Sequence, residues 1–266
     1  VVRLAKNIKI GIIGGTGVYD AKILTSVEQL KIKTPYGAPS DFPTRGFLDG
    51  REIIAIPRHG FRHTSNPTNV NYRANIWAMK QLGVERIFSV SAVGSLKEEI
   101  KRGHLVFPDQ FIDLTKFRKS TFYDGQKVCH ISAAEPFCPE LRKILIETAE
   151  ELRIPYHEKG VCVVIEGPRF STRAESKLFR SWNADIINMT LCPEVVLARE
   201  AEICYANIAM VTDYDVWKEE TVSNEIVLKT VRENIEKVRK LIAKALLKVP
   251  EERKCNCKNA LQGAFM

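Results

Sequence analysis

Short apolar runs alternate with helical patterns along most of this chain, and no other feature limits its fold so strongly. The strand-like runs fall at 8–13, 53–57, 86–91, 161–165, 185–189 and 206–211. Between several of them the apolar residues recur at helical spacing. Residues 71–82 end at Gly83, a natural helix stop, and 139–152 carry Leu141, Ile144, Leu145, Thr148 and Leu152 on one stripe behind an initial Pro139. Shorter helices are expected at 172–182 and 193–203. The longest runs from about 224 to 249, with Val227, Val231, Ile235, Val238, Leu241, Ile242 and Ala245 in register, and Pro250 ends it. Strands alternating with helices predict an α/β fold: one domain over 1–250, with a mixed, largely parallel central sheet flanked by helices, followed by a polar tail over 251–266.

Composition narrows the function classes. No apolar stretch reaches the ~18 residues of a membrane span, and the first residues lack a signal-peptide core, so a soluble cytoplasmic protein is expected. The net charge of +8 raises the question of nucleic acid. From Arg232 to Lys258 there are nine Lys/Arg against four Asp/Glu, so +5 of that charge lies on the last helix and tail. A solvated helix face explains it, and no basic groove interleaved with aromatics is present. Of seven cysteines, Cys129, Cys138, Cys162, Cys192 and Cys204 lie in or beside apolar runs and read as core residues. Cys255 and Cys257 stand in the polar tail without a packing role. With no second pair at zinc-like spacing, no metal is expected there, and the pair is expected to be oxidised or cross-linked.

Ligands of open α/β sheets bind beyond the carboxyl ends of the strands. Here those ends carry Gly14-Gly15-Thr16-Gly17, Arg58-His59-Gly60, Ser91-Ala92-Val93-Gly94-Ser95, Asn188-Met189-Thr190 and Thr212-Asp213-Tyr214-Asp215. The glycine turn matches neither the dinucleotide nor the P-loop pattern, which leaves a turn whose amides and Thr16 hydroxyl can cradle a small anion. Arg58 and His59 are expected to supply positive charge to an oxyanion, the guanidinium through a bidentate fork.

The strings GIIGGTG, RHG, NYRANIWA, DQFID, FYDG, AEPFCP, IEGPRFS, RAES, INMT, PEVVLA and TDYDVWKE stand in the order and spacing of the methylthioadenosine phosphorylases, which the chain resembles over about 8–249. The resemblance implies a nucleoside phosphorylase fold, a trimer or dimer of trimers, and no metal or organic cofactor, with inorganic phosphate as co-substrate. It implies a phosphate site of Thr16, Arg58, His59, Ser91, Ala92 and Thr190. Met189 would lie against the ribose, Phe170 on the purine with Ser171 beside it, and Asp213 and Asp215 at the purine edge. Val227 and Leu228 would line the methylthio pocket, and His130 would reach a neighbouring subunit's site. Asn224 stands where the animal enzymes carry valine, a departure that bears on thiomethyl selectivity. Taken singly, Phe170 reads as a core aromatic, the two aspartates as turn caps, and His130 as a satisfied, partly buried histidine.

The implied chemistry is phosphorolysis of an N-glycosidic bond, with Asp213 protonating or bonding purine N7 and Asp215 assisting. Two other readings compete. A phosphorylase of 6-oxopurine nucleosides would present Glu and Asn where this chain has Ser171 and Asp213, and a basic nucleic-acid-binding protein would rely on the last helix and tail.

Overall fold

The computed structural model describes residues 8–15, 24–218 and 222–266. Thr16 lies outside them.

Strand β1 (Lys9–Gly14) is parallel to β4 (Arg51–Pro57) on one side and to β5 (Val84–Ser95) on the other. Beyond β4 the sheet continues antiparallel through β3 (Thr44–Leu48) and the exposed β2 (Thr25–Gln29). The middle of the sheet is decided by unequal lengths. β1 has 6 residues and β5 has 12. Pairing with β1 ends at Ser89, and β10 (Ile186–Asn188) takes up the same path only at Gly94 and Ser95. Parallel β9 (Val161–Ile165) and β7 (Gln110–Leu114) extend that arm. β11 (Cys204–Asp213) runs parallel to β5 and then pairs with β6 (Leu105–Val106), which pairs with β8 (Tyr156–His157). The sheet therefore forks along β5, between Ser89 and Gly94.

Side chains alternate across the pleat, so each strand feeds two cores. On β4, Ile53 and Ala55 join one cluster while Ile54 and Ile56 join the other. The first cluster is closed by α2 (Pro139–Glu151) and α5 (Asn224–Lys248), the second by α1 (Tyr72–Gln81) and α4 (Leu191–Glu200). A smaller cluster lies under α3 (Arg173–Ser181), whose start is set by a capping box of Thr172 and Glu175. No helix of the described residues is long and apolar enough to cross a membrane.

Two expectations about the tail are overturned. The end of α5 and the polar tail are bonded to the core: Arg51 donates to the Leu247 and Val249 carbonyls, Arg86 to Glu251 O, and His130 N to Ala264 O. Cys255 and Cys257 belong to the first core cluster at 7% and 8% exposure, beside the buried Cys138 and Cys204. Their polar neighbours in sequence concealed a packing role that a 3-10 turn at Asn256–Asn259 creates by turning both thiols inward. All seven cysteines are unbridged, so the expected disulfide is absent.

Candidate active site

The fork leaves backbone groups of β5 that no strand reaches, and side chains bond to them instead. Arg58 Nη1 donates to Val90 O at 2.9 Å, and Asn188 Nδ2 donates to Ala92 O at 3.2 Å. This draws the end of β4, the middle of β5 and the end of β10 together, as expected of strand ends that form a site. Asn188 Oδ1 accepts from the amides of Thr190 and Leu191, each at 2.6 Å, and so fixes the turn that carries Thr190. Thr190 precedes α4, its hydroxyl donates to Asn188 Oδ1 at 3.4 Å, and the non-helical Cys192 separates it from the regular part of the helix.

At the expected phosphate site, the Arg58 guanidinium is engaged within the protein. Arg58 is 2% exposed, and its Nε–Nη2 edge is occupied by Glu194, with Nε to Oε2 at 2.7 Å and Nη2 to Oε1 at 2.8 Å. Nη2 also donates to Ser89 Oγ at 2.7 Å. The bidentate fork is thus spent inside the protein, and its charge is neutralised there. His59 is uncharged at neutral pH: burial, then the adjacent Arg58, pulls its pKa down to about 4. Nδ1 lies 2.8 Å from Ser65 O, which can only accept, so the ring proton sits on Nδ1 and Nε2 is an acceptor. Ser91 Oγ donates to Asn207 Oδ1 at 3.2 Å. What this end of the fork offers an oxyanion is mostly neutral: hydroxyls, amides and a histidine able to accept a hydrogen bond from a phosphate hydroxyl.

At the other end, β11 bulges between Val211 and Asp213 opposite Gly94. The bulge turns Asp213 across β5, and a side chain at Gly94 would meet Asp213 Oδ1 at 2.8 Å and Ile187 Cγ2 at 2.9 Å. Asp213 is 5% exposed and accepts from Thr212 Oγ1 at 2.7 Å and from Asp215 N at 2.8 Å. Burial raises its pKa above the usual carboxylate range, against the lowering effect of those two hydrogen bonds, and the neighbouring Asp215 adds a lesser upward push. Asp215, in the left-handed region at φ 50°, is likewise raised by burial and held down by the nearby Ser176 and Ser171 hydroxyls. Asp215 Oδ2, Ser171 Oγ and Ser176 Oγ are buried without a hydrogen bond of good geometry. The two hydroxyls lie close enough to Asp215 to lower its pKa, so these three groups face one another.

Phe170 is half-buried beside Ser171, after Gly167 at φ 67°, where an added Cβ would lie 2.7 Å from the Met189 sulfur. Arg118 holds this wall: it donates to the carbonyls of Met189 at 2.6 Å and Cys192 at 2.7 Å and pairs with Glu166 at 3.1 Å. Val227 is half-buried on α5 and Leu228 is exposed. His130 is exposed on the segment tied to the tail and forms no hydrogen bond with another of the expected site residues among the described ones. Sequence reasoning named Asn188 at a strand end without giving it a role, and assigned none to Glu194, Asn207, Arg118 and Ser176. All but Asn207 and Arg118 sit inside strings singled out above, where a polar residue at a buried periodic position was the available signal.

The Phosphorylase superfamily profile matches residues 9–248. The S-methyl-5'-thioadenosine phosphorylase of Thermofilum pendens is 57% identical over 261 residues, 98% of this chain and 100% of that one. A methylthioadenosine phosphorylase from an antarctic soil metagenomic library superposes with a TM-score of 0.92 at 46% identity, over 98% of this chain and 93% of that one. A variant adenosine/methylthioadenosine phosphorylase from Schistosoma mansoni, in complex with methylthioadenosine, gives 0.89 at 39% identity over 96% of each chain. On this full-length likeness, the chain belongs to the S-methyl-5'-thioadenosine phosphorylases of the phosphorylase superfamily.

Proposed function

We infer that the protein cleaves the N-glycosidic bond of 5'-methylthioadenosine with inorganic phosphate, giving adenine and 5-methylthioribose 1-phosphate. The observation that carries this reading is the spacing of the two ends of the cleft along β5. The hydroxyl and amide donors gather at Ser91 and Ala92, and the buried aspartates meet the strand at Gly94. Three residues of strand span roughly 10 Å, the length of a phosphate, a pentose and a purine laid in sequence.

In this arrangement phosphate lies beneath the anomeric carbon, held by Ser91, Thr190 and the amides of the fork. The sugar takes on oxocarbenium character as the glycosidic bond opens, and the phosphate charge beside it lowers the barrier. The purine leaves as its N7 receives a proton or a strong hydrogen bond from Asp213, whose burial keeps the protonated form accessible. Asp215 accepts from the 6-amino group. No covalent intermediate is involved, so the anomeric centre inverts. The chemistry draws on no metal or organic cofactor, and His130 completes the 5' end of a neighbouring subunit's site in a trimer or a dimer of trimers.

The test is phosphate-dependent release of free base from methylthioadenosine, adenosine and inosine side by side. Methylthioadenosine is expected to lead inosine by about one to two decades in kcat/KM, since inosine turns O6 toward an acceptor and an unmatched buried pair costs roughly 1–3 kcal/mol. Equal rates on inosine would remove Asp215 and Asp213 as base selectors.

A further inference from the structure

Away from the fork, a cavity of about 430 Å³ opens between the loop at 101–104 and one face of α5, with Pro155 at its rim. That size lies within the roughly 300–1,000 Å³ of small-molecule sites. The sheet keeps it apart from the expected phosphate site. Gly103 N donates to Val211 O, and Val211 N donates to His104 O. The loop therefore runs along the side of β11 turned away from β5, the strand that carries Ser91 and Ala92.

The floor of the cavity is polar and fixed. Asn234 and Thr230 are each 7% exposed. Asn234 Nδ2 donates to Thr230 O at 2.8 Å, and Lys237 Nζ donates to Asn234 Oδ1 at 2.7 Å, which anchors that ammonium beside the cavity. Gly103, at φ 77°, leaves the room: an added Cβ would lie 3.0 Å from Asn234 Oδ1.

The walls are basic. Arg102, Lys229 and Lys237 line the cavity, and Glu233 is the one carboxylate among the described residues that do. His104 lies beside them. Its Nδ1 accepts from Lys101 N at 3.4 Å and stands 3.0 Å from His157 Nε2, so His157 is the donor of that pair and the His104 proton sits on Nε2. Burial lowers the His104 pKa, and His157, Lys101 and Lys237 lower it further, the mark of positive potential at this spot. Lys229 and Lys237 stand eight residues apart, about 12 Å along the helix axis. Cations so spaced suit a chain of phosphates better than a single one. Among the described residues no Phe, Tyr or Trp lines the cavity, whereas a nucleic-acid groove stacks bases on such rings.

We propose that this cavity binds a small polyphosphate, two or three phosphate groups in a row, with Lys229, Lys237 and the His104 Nε2–H as donors. Arg102 adds charge at the rim and lies over the Tyr214 ring, 5.4 Å from its centroid. Tyr214 separates Asp213 from Asp215 in sequence. An occupied cavity thus braces α5 against the loop that is bonded to β11 just before Asp213.

The test is calorimetric titration of the full chain with tripolyphosphate. One equivalent per chain is expected, with an affinity that falls steeply as salt is added. Lys229→Gln and Lys237→Gln should each weaken binding about ten-fold or more, the worth of a charge-assisted hydrogen bond. Lys240→Gln removes the same charge from α5 outside the cavity and should change binding less than about two-fold. Ser91→Ala, at the expected phosphate site, should bind as the unaltered chain does. ATP binding tighter than tripolyphosphate, and weakened alike by Lys237→Gln, supports the site and makes a nucleotide its source; equal or weaker ATP binding supports it with free polyphosphate as the source. Absence of saturable tripolyphosphate binding overturns the proposal. So does an equal loss in Lys240→Gln, which would assign the binding to the general charge of the helix, and so does a loss in Ser91→Ala, which would put the polyanion in the place of the substrate phosphate.

Discussion

Asp213 and His59 are single residues whose ionisation the fold resets. Asp213→Asn keeps the shape of the carboxyl but cannot deliver a proton to N7. Activity on methylthioadenosine should fall by about two decades or more, within the range general-acid catalysis supplies. Because an amide can donate to O6, the preference over inosine should narrow or reverse, and kcat/KM of both forms on both substrates decides it. His59 bears on stability. Its pKa falls from the usual 6.5 to about 4 in the folded chain, so the stability it contributes is fully present above pH 6.5 and is lost as pH falls toward 4. The linked change is on the order of 3 kcal/mol. Denaturant melts between pH 7 and 4 should show that loss, and His59→Gln should flatten it. An unchanged slope in the variant would contradict the assignment of a buried neutral imidazole.

At the level of the element, the end of β11 and the start of α4 shape the cleft. Gly94→Ala forces Asp213 Oδ1 and Ile187 away from a Cβ that would sit under 3 Å from both. Overpacking of this kind costs roughly 1–3 kcal/mol. The loss in kcat should exceed what the stability change explains, because the displaced group is the carboxyl proposed to bind the base. Kinetics on protein confirmed as folded by circular dichroism read this out. On α4, Glu194 is fully buried and accepts from Arg58, Ser89 Oγ and Tyr205 OH. Glu194→Gln leaves the Arg58 guanidinium buried without its counter-ion, and breaking such a pair costs about 3–5 kcal/mol. Thermal and urea unfolding should report a loss of that order. A change below 1 kcal/mol would mean that Arg58 turns to another anion. The pair's structural role also explains why Arg58→Ala would confound phosphate binding with folding.

Across the whole molecule, the docked C-terminal segment connects the core to the exposed strip at 128–130. Phe265 bridges to Cys129, and Met266 N donates to Val128 O. These contacts hold the strip that presents His130. Deleting 263–266 should raise KM for methylthioadenosine several-fold while KM for phosphate stays put, provided that His130 serves a neighbouring site in an oligomer. Steady-state kinetics together with light scattering test both halves of that statement, and an equal rise in both KM values would argue for general loosening instead.

The six strand-like runs and five helices were legible because hydrophobic periodicity is a local property, and each period matched the element that formed. The cleft's position was legible for a related reason: an α/β sheet places ligands at strand ends, and hydroxyls, glycines and carboxylates stand there in sequence. Asp213 packs against Gly94, Thr190 is tied to β5 through Asn188, and Ser91 bonds Asn207 on β11. The partners were not legible. Whether Arg58 faces a phosphate or Glu194, whether His59 carries charge, and whether Cys255 lies in solvent or against Cys204 all depend on which distant side chains burial brings within a few ångströms. Local pattern records that a residue is polar or apolar. Only the folded chain decides what it touches, and desolvation then sets its charge.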